Sequence, residues 1–285
     1  METKRFEPDS EVNIDEELKD HRHDMLDEVA RIIAEDTLPD INANSADVRP
    51  KNSPYTRYGK RALDILLSLL ALIVTSPVNL VLAVCTYFDV GRPILFKQQR
   101  VGKNGELFTV VKFRNMTNDT YENGELLPPS ERVTKFGAFV RKTSLDELLN
   151  FWSVFKGDMS IIGPRPLALR YEERYSERHR KRNLVKPGLE CPILNTKGKR
   201  ATWEEQFEND IYYVEHVSLA LDLRLVWLLV RMVLDRKGSS ERGSATRGSF
   251  MGYREDGSCI NSRHVPARYV NAALERYEGK SQAPV

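Results

Sequence analysis

The sequence predicts a helix-rich α+β fold seated on one face of a membrane. The expected arrangement is a monotopic membrane protein with a broken re-entrant membrane helix, short strands and interfacial amphipathic helices. Three observations predict it. Residues 65–88 form an apolar run interrupted by Ser76-Pro77. Two β-prone stretches, 94–96 and 108–113, flank a turn-rich Val101-Gly102-Lys103-Asn104-Gly105. Further along, apolar residues recur at helical spacing among many charges.

The first 56 residues are polar and acidic. Residues 1–50 hold 15 acidic and 6 basic side chains, a charge of −9, which leaves +11 on the remainder of a chain of 285 residues with net charge +2. A basic body favours anionic partners such as phosphates or anionic lipid. Ile14, Leu18, Met25, Leu26, Val29, Ile32 and Ile33 share roughly one helical face. With no visible partner for that face, the expectation is a solvated, partly disordered arm followed by a linker at 42–56.

Residues 65–88 would reach roughly 36 Å as a helix, enough to cross a hydrocarbon core of roughly 30 Å. A plain span is therefore one reading. Pro77 argues for another, because it lacks an N–H and its ring collides with the Ile73 carbonyl. Charge argues the same way. Arg57, Lys60 and Arg61 precede the run, and Arg92, Lys97, Arg100 and Lys103 follow it. Positive residues mark the cytoplasmic side, so basic clusters at both ends predict that both ends lie there. A break at Ser76-Pro77 would let the helix enter one leaflet and return, with freed carbonyls bonded to Ser76, Asn79 or a packed neighbour.

Beyond the hairpin, 143–155 reads as a short amphipathic helix and Gly163-Pro164-Arg165-Pro166 as a rigid loop. Residues 167–182 read as one very charged helix and 203–213 as another. Residues 217–235 form a core or interfacial amphipathic helix, since their longest uninterrupted apolar stretch, 225–230, is too short to span. Gly, Ser and Arg dominate 238–262, which predicts a flexible tail, with a short terminal helix at 266–278. Cys85, Cys191 and Cys259 are far apart and form no CxxC pair, which argues against a disulfide framework or zinc site and fits a reducing cytosol. No signal peptide is expected, as the first apolar run begins only near Leu63.

The densest set of chemical groups lies between Lys112 and Asp222. In Arg141–Leu149, Ser144 and Glu147 fit the S-x-x-E capping box, so Glu147 could simply close a helix end. Asp146 would then sit in a first helical turn, where free N–H groups, together with Arg141 and Lys142, would favour its ionised form. Such a carboxylate is a candidate nucleophile or metal ligand. Arg165 stands between two prolines that fix the flanking φ angles, which pre-places its guanidinium for a phosphate; pairing with a carboxylate on the following charged helix is the alternative. The run Arg178–Arg182 follows Glu172, Glu173 and Glu177 and carries few aromatics, so a solvated face or a headgroup contact is favoured over nucleic acid.

These residues fall into an ordered set of motifs. They are Lys60-Arg61-x-x-Asp64, Ser76-Pro77, Gln98-x-Arg100-x-Gly102, Lys112-Phe113-Arg114-x-Met116 and Lys135-Phe136-Gly137. Next come Arg141-x-x-Ser144-Leu145-Asp146-Glu147-Leu148 and Lys156-Gly157-Asp158-Met159-Ser160-x-Ile162-Gly163-Pro164-Arg165-Pro166. Pro187-Gly188, Trp203, Phe207, Asp210, Tyr212-Tyr213 and Leu221-Asp222-Leu223 close the series. Over roughly 57–237 the chain resembles the bacterial sugar transferases, monotopic phosphoglycosyl transferases that use polyprenol phosphate. The resemblance implies transfer of a sugar-1-phosphate from a UDP-sugar to undecaprenyl phosphate, with Mg²⁺, at the cytoplasmic face of the bacterial inner membrane. UMP leaves and a lipid-linked surface glycan is begun, for an exopolysaccharide, capsule, O-antigen or glycoprotein.

By the same resemblance, Asp146 is the nucleophile and a metal ligand, Glu147 is its partner, and Lys112, Arg141 and Arg165 hold phosphates. Arg114, Lys199, Arg200, Asp210 and Asp222 match positions at or around the substrates. The implied domains are an acidic arm and linker (1–56), a membrane hairpin (57–92), a cytoplasmic catalytic domain (93–237) and a tail (238–285). The chain departs from the family after Pro187-Gly188. Leu189-Glu190-Cys191 replaces the usual I-T-G, and Asn195–Arg200 replaces a short N-G-R type motif, with Lys199 and Arg200 the two candidates for the expected arginine. Leu149 and Ser153 replace the usual Pro and Asn as packing changes. The altered loop and acidic arm leave a second reading, a catalytically silent membrane-bound interaction or scaffold protein. The intact Asp146-Glu147 pair and Arg165 count against it.

Overall fold

In the computed structural model, residues 5–18, 23–43, 45–121, 126–127, 129–193, 201–234 and 247–281 are described. The N-terminal helical face exists as the spacing predicts, but it is not solvated. Strand β1 (Glu11–Val12) and the single turn α1 (Ile14–Glu17) lead to α2 (His23–Ala43). Ile14, Leu18, Met25, Val29, Ile32 and Ile33 are buried. Their partners come from the other end of the chain: Met251, Ile260, Val265, Val270, Ala273 and Leu274 complete the same core.

Backbone bonds tie the two ends together. Glu11 pairs with Pro266 and Val12 with Val265 in an antiparallel ladder; Ile14 N donates to Ser262 O at 2.9 Å and Ala267 N to Ser10 O at 2.9 Å. Over the described residues, then, the expectations of a solvated arm and a flexible tail are corrected. Periodicity reported the face, but its partner lies more than two hundred residues away. Each fully buried aliphatic side chain contributes roughly 1.5–3 kcal/mol, and the segment carries six. Ile33→Ala should therefore lower the thermal midpoint of the purified protein, at a cost of about 2–5 kcal/mol; an unchanged melt would show that this module does not share the cooperative unit.

The linker stays extended and docks through Val48, buried beside Ile211 and Val214. Helix α3 (Lys60–Val90) then runs unbroken, continuous with a π turn at Tyr55–Gly59. Its exposure is inverted relative to a soluble helix: Leu66, Leu70, Ile73, Val74, Leu80 and Val81 face outward, while Asp64 and Ser68 are buried. Only 11% of its most apolar window is buried inside the protein. Pro77 lies within the helix and does not interrupt it. The carbonyl it deprives of a donor, that of Ile73, accepts from Ser76 Oγ at 2.8 Å, and Ala71 O accepts from Thr75 Oγ1 at 2.7 Å. Hydroxyls thus satisfy the backbone at the proline, and the break expected in the helix is absent. Near its foot, Asp64 Oδ1 accepts from Ser160 Oγ (2.9 Å) and Ile161 N (3.0 Å), and Arg61 donates to Val154 O and Phe155 O at 2.7 Å each.

The predicted strands and the turn between them are present. Strands β2 (Leu95–Val101) and β3 (Leu107–Phe113) pair antiparallel from Leu95↔Phe113 to Val101↔Leu107, and Asn104 and Gly105 in the turn have φ of 56° and 83°. The short α4 (Pro129–Arg132) precedes α5 (Lys135–Thr143), which Thr134 caps. The single helix expected at 143–155 is instead a 3-10 turn, Leu145–Glu147, followed by α6 (Asn150–Lys156). Strand β4 (Ser160–Ile162) pairs parallel with β5 (Gly188–Glu190). Here Gly163 and Gly188 touch: a Cβ on Gly188 would stand 2.1 Å from Gly163 N.

The charged helix expected at 167–182 is also corrected. It is a 3-10 stretch (Leu169–Arg174), then α7 (Glu177–Arg180), then a second 3-10 turn (Lys181–Leu184). Tyr175 breaks it in extended conformation because its ring is buried against Phe207 and Phe250. Helices α8 (Trp203–His216) and α9 (Leu219–Leu234) follow as predicted; α9 buries Leu221 and Leu225 and exposes Leu219, Leu223, Trp227 and Val230. Strands β6 (Phe250–Tyr253), β7 (Cys259–Asn261) and β8 (Val265–Pro266), with α10 (Ala267–Ser281), close the terminal module. The fold is a helix-rich α+β arrangement with small two-stranded sheets and one long apolar helix.

Candidate active site

Asp146 and Glu147 lie on the 3-10 turn between α5 and α6. Ser144 enters it in the left-handed region (φ 56°) and makes no capping bond through its side chain, so the capping-box reading of Glu147 is overturned. Asp146 is 7% exposed, and its Oδ2 accepts from Asn115 Nδ2 at 3.1 Å. Asn115 is brought there by a close approach of backbones: a Cβ on Gly137 of α5 would stand 2.1 Å from Asn115 O. The Lys-Phe-Gly motif is thereby explained, since any larger residue at 137 would push the loop after β3 away from the dyad.

Glu147 is held differently. Its Oε1 accepts from both Lys112 Nζ and Arg165 Nη2, each at 2.6 Å. Arg165 also places Nη1 3.2 Å from Glu190 Oε2 and 3.3 Å from Leu189 O. Its loop is fixed from below, where Arg182 Nη2 donates to Arg165 O at 2.8 Å while Arg182 Nε and Nη2 reach Asp210 Oδ2 at 2.9 and 2.7 Å. Arg182 and Asp210 are both buried, so this pair is a structural strut.

The two carboxylates have opposite proton affinities. Burial pushes the Asp146 pKa up, and the neighbouring Glu147 charge adds to this; Lys112 and Arg141 oppose it without reversing it. The expected sign of the effect on Asp146 is thus corrected: the 3-10 turn is too short to supply a helix-terminus field, and desolvation outweighs the neighbouring cations and moves the pKa up. For Glu147, burial acts upward as well, but Arg165 and Lys112 outweigh it and hold the group below the usual glutamate range. Adjacent carboxylates pushed apart in this way mark an acid–base or nucleophilic centre. Cations surround the pair. Burial and the charges of Arg165 and Arg170 lower the Arg100 pKa, so three guanidiniums share one neighbourhood.

Other expected residues fall into supporting places. Arg141 is exposed at the end of α5 and acts on Asp146 through its charge. Arg114 donates to the Val90 carbonyl and so joins the end of α3 to the end of β3. Asp222 accepts from Lys60 Nζ and Tyr213 OH, 2.7 Å each, and from Tyr55 OH, locking the foot of α3 to α8 and α9. Ser76 and Pro77 lie exposed on α3. Lys199 and Arg200 lie outside the described residues. Sequence reasoning missed Asn115 and Arg182 as parts of the site and assigned nothing to Glu190. The close approach at Gly137 was legible only as a motif, and Arg182 was read with its basic run.

Among the described residues no three His, Cys, Asp or Glu side chains converge as a metal cluster. Glu147 Oε1 is already taken by two cations, which leaves Asp146 as the free carboxylate. One carboxylate beside a cationic cleft does not make an all-protein cage. It does fit Mg²⁺, which keeps several waters and is bound through one or two carboxylates plus substrate phosphates.

A family model described as bacterial sugar transferase matches residues 55–236. The chain is similar to the uncharacterized sugar transferase EpsL of Bacillus subtilis, 39% identical over 194 residues, covering 68% of this chain and 96% of that protein. It is similar to a UDP-N-acetylgalactosamine-undecaprenyl-phosphate N-acetylgalactosaminephosphotransferase of Aeromonas hydrophila, 33% identical over 195 residues, 66% of this chain and 46% of the relative. A UDP-glucose:undecaprenyl-phosphate glucose-1-phosphate transferase of Klebsiella pneumoniae is 38% identical over 183 residues, 60% of this chain and 39% of the relative. The chain thus spans nearly all of the first relative and less than half of the other two.

Proposed function

The chain belongs to the bacterial sugar transferase family, and from that premise we propose that it moves a sugar-1-phosphate from a UDP-sugar to undecaprenyl phosphate, releasing UMP. The observation that carries this is the asymmetric dyad: Asp146 buried and free of cation partners, Glu147 clamped by Lys112 and Arg165. The names of the relatives favour this over a silent scaffold. Purified protein given a panel of UDP-sugars, undecaprenyl phosphate and Mg²⁺ should release UMP with at least one donor; release with none would return the scaffold reading.

In the first step an Asp146 oxygen attacks the sugar-linked phosphorus. The Asp146–phosphorus bond forms as the bond to the UMP oxygen breaks. Asn115 holds Oδ2, which leaves Oδ1 to attack. In the second step an oxygen of the lipid phosphate attacks the same phosphorus and releases Asp146. Both substrates are anionic, so the cations Lys112, Arg165, Arg100 and Arg141 serve to lower their mutual repulsion. Mg²⁺, when bound at Asp146, would supply charge neutralisation on the transferring phosphoryl group. Glu147 stays anionic and aims the Arg165 fork. Because Asp146 must be ionised to attack, the acid limb of kcat/KM should lie above the ordinary aspartate value of 3.8. Arg141→Gln removes a charge that opposes this shift, so the limb should move to still higher pH in stopped assays across pH 4–8.

The lipid substrate sets the placement. The outward apolar surface of α3, the exposed stripe of α9, and Phe139 and Trp152 supply apolar surface for a bilayer face. An open cleft of about 770 Å³ lined by Ala83, Val84, Tyr87, Phe88, Pro93 and Ile94, with Arg92 beside them, offers a mostly apolar groove at the end of α3. We retain the re-entrant arrangement as a proposal, supported by the basic residues at both ends of the run, although α3 runs unbroken through Pro77. Catalysis would then sit at the cytoplasmic face of the inner membrane, with 57–92 as membrane hairpin and 93–237 as catalytic domain. Cysteines introduced at Tyr58 and Lys97 should both react only from the cytoplasm. Periplasmic labelling of either end in the unmodified sequence would exclude re-entry.

A further inference from the structure

Arg165 is occupied twice. Its Nη2 edge meets Glu147, a contact that Lys112 shares at the same oxygen. Its Nη1 edge meets Glu190 at 3.2 Å, the longer of the two contacts, and the Glu190 side chain remains 36% exposed. The backbone under Arg165 cannot yield, because Arg182 holds its carbonyl from a buried ion pair. Glu190 is carried to this point by the parallel pairing Ile162↔Glu190 and the Gly163–Gly188 contact, and its Oε1 accepts from Cys191 N at 3.2 Å. It is also where the sequence leaves the usual I-T-G run and places a charge in the position of a threonine.

An incoming phosphate must take N–H groups that the fork can release. Nη2 donates to Glu147 in a short contact that fixes the dyad, whereas Nη1 is held only by the longer contacts to Glu190 and the Leu189 carbonyl, so the N–H groups of Nη1 are the ones available. We propose that Glu190 is the counter-ion of Arg165 in the free protein, displaced by the donor phosphate, and that it sets nucleotide affinity in this chain. The carboxylate competes with the incoming anion for the same N–H groups and repels it at short range. It also keeps the guanidinium compensated when no substrate is present, and it returns as nucleotide leaves. Loss of this charge should therefore tighten binding, the opposite of what removal of an ordinary substrate contact does.

The inference rests on the phosphate-holding role of Arg165 proposed above, and the test separates the two. UDP binding in the presence of Mg²⁺ is measured by titration calorimetry on the full chain in detergent, for wild type, Glu190→Gln, Arg165→Gln and the double variant, each with a melting curve. For a partly exposed pair, Glu190→Gln should bind UDP roughly two- to fivefold more tightly. Arg165→Gln should bind more weakly, and in that background Glu190→Gln should change nothing. Unchanged or weaker UDP binding in Glu190→Gln, with Arg165→Gln weakened, overturns the Glu190 inference alone. Wild-type binding by Arg165→Gln overturns the clamp itself. If Glu190→Gln melts early, Glu190→Thr, the residue of the usual run, carries the same expectation.

Discussion

Asp146→Asn protein should release UMP at a rate lower by on the order of 10⁴-fold or more, because it removes the attacking oxygen of a covalent mechanism. Wild type given labelled donor and Mg²⁺ without lipid acceptor should acquire sugar-phosphate covalently, and the variant should acquire none. Misfolding is separable from chemistry here. Burial raises the Asp146 pKa, so the folded state disfavours its charge, and a neutral amide of the same shape relieves that cost. The variant should melt no lower than wild type. Substantial turnover without labelling would mean direct attack by the lipid phosphate, with the carboxylates confined to binding.

Arg165→Lys should lower kcat/KM by about 10²- to 10³-fold, the range seen when one pre-placed donor to a developing anion is lost. Lysine keeps the charge but is a point cation without the fork, so it cannot hold Glu147 on one edge and a phosphate on the other. Membrane association and melting should be unaffected. Asp210→Ala makes the contrast. It strands Arg182 in a fully buried position, and removing one partner of a buried pair typically costs about 3–5 kcal/mol. Its activity loss should accompany a lower melting midpoint. Near-normal turnover in Arg165→Lys would reduce the arginine to a structural partner of Glu147 and Glu190.

What the sequence made legible follows from the range of the forces involved. The β2–β3 hairpin was visible because turn chemistry and strand propensity act within a few residues, and Asn104 and Gly105 carry it. Helices α8 and α9 were visible because their apolar spacing is local. The dyad was found through its motif, yet its electrostatics were misjudged. The sign of the Asp146 shift depends on burial by surrounding segments, and adjacency to Arg141 in sequence says little about that. Asn115, Arg182 and Glu190 join the site across separations of 31, 17 and 25 residues, where no local periodicity speaks. Proline 77 misled in the same way: its cost was counted correctly, but Ser76 and Thr75 hydroxyls offset it within the helix.

The pairing of β1 with β8 has a consequence for how the molecule is made. During synthesis α2 leaves the ribosome early, with Met25, Val29 and Ile33 uncovered, while Met251, Ile260 and Val270 that cover them are still unread message. At about 5–20 residues per second the interval is roughly 10–45 s. Over that time the apolar segment α3 also emerges, so the nascent chain presents two greasy surfaces, one destined for lipid and one for its own far end. Holding the first apart from the second until translation ends is a task for chaperones or the insertion machinery. A stalled or prematurely terminated copy would keep α2 open as a handle for degradation.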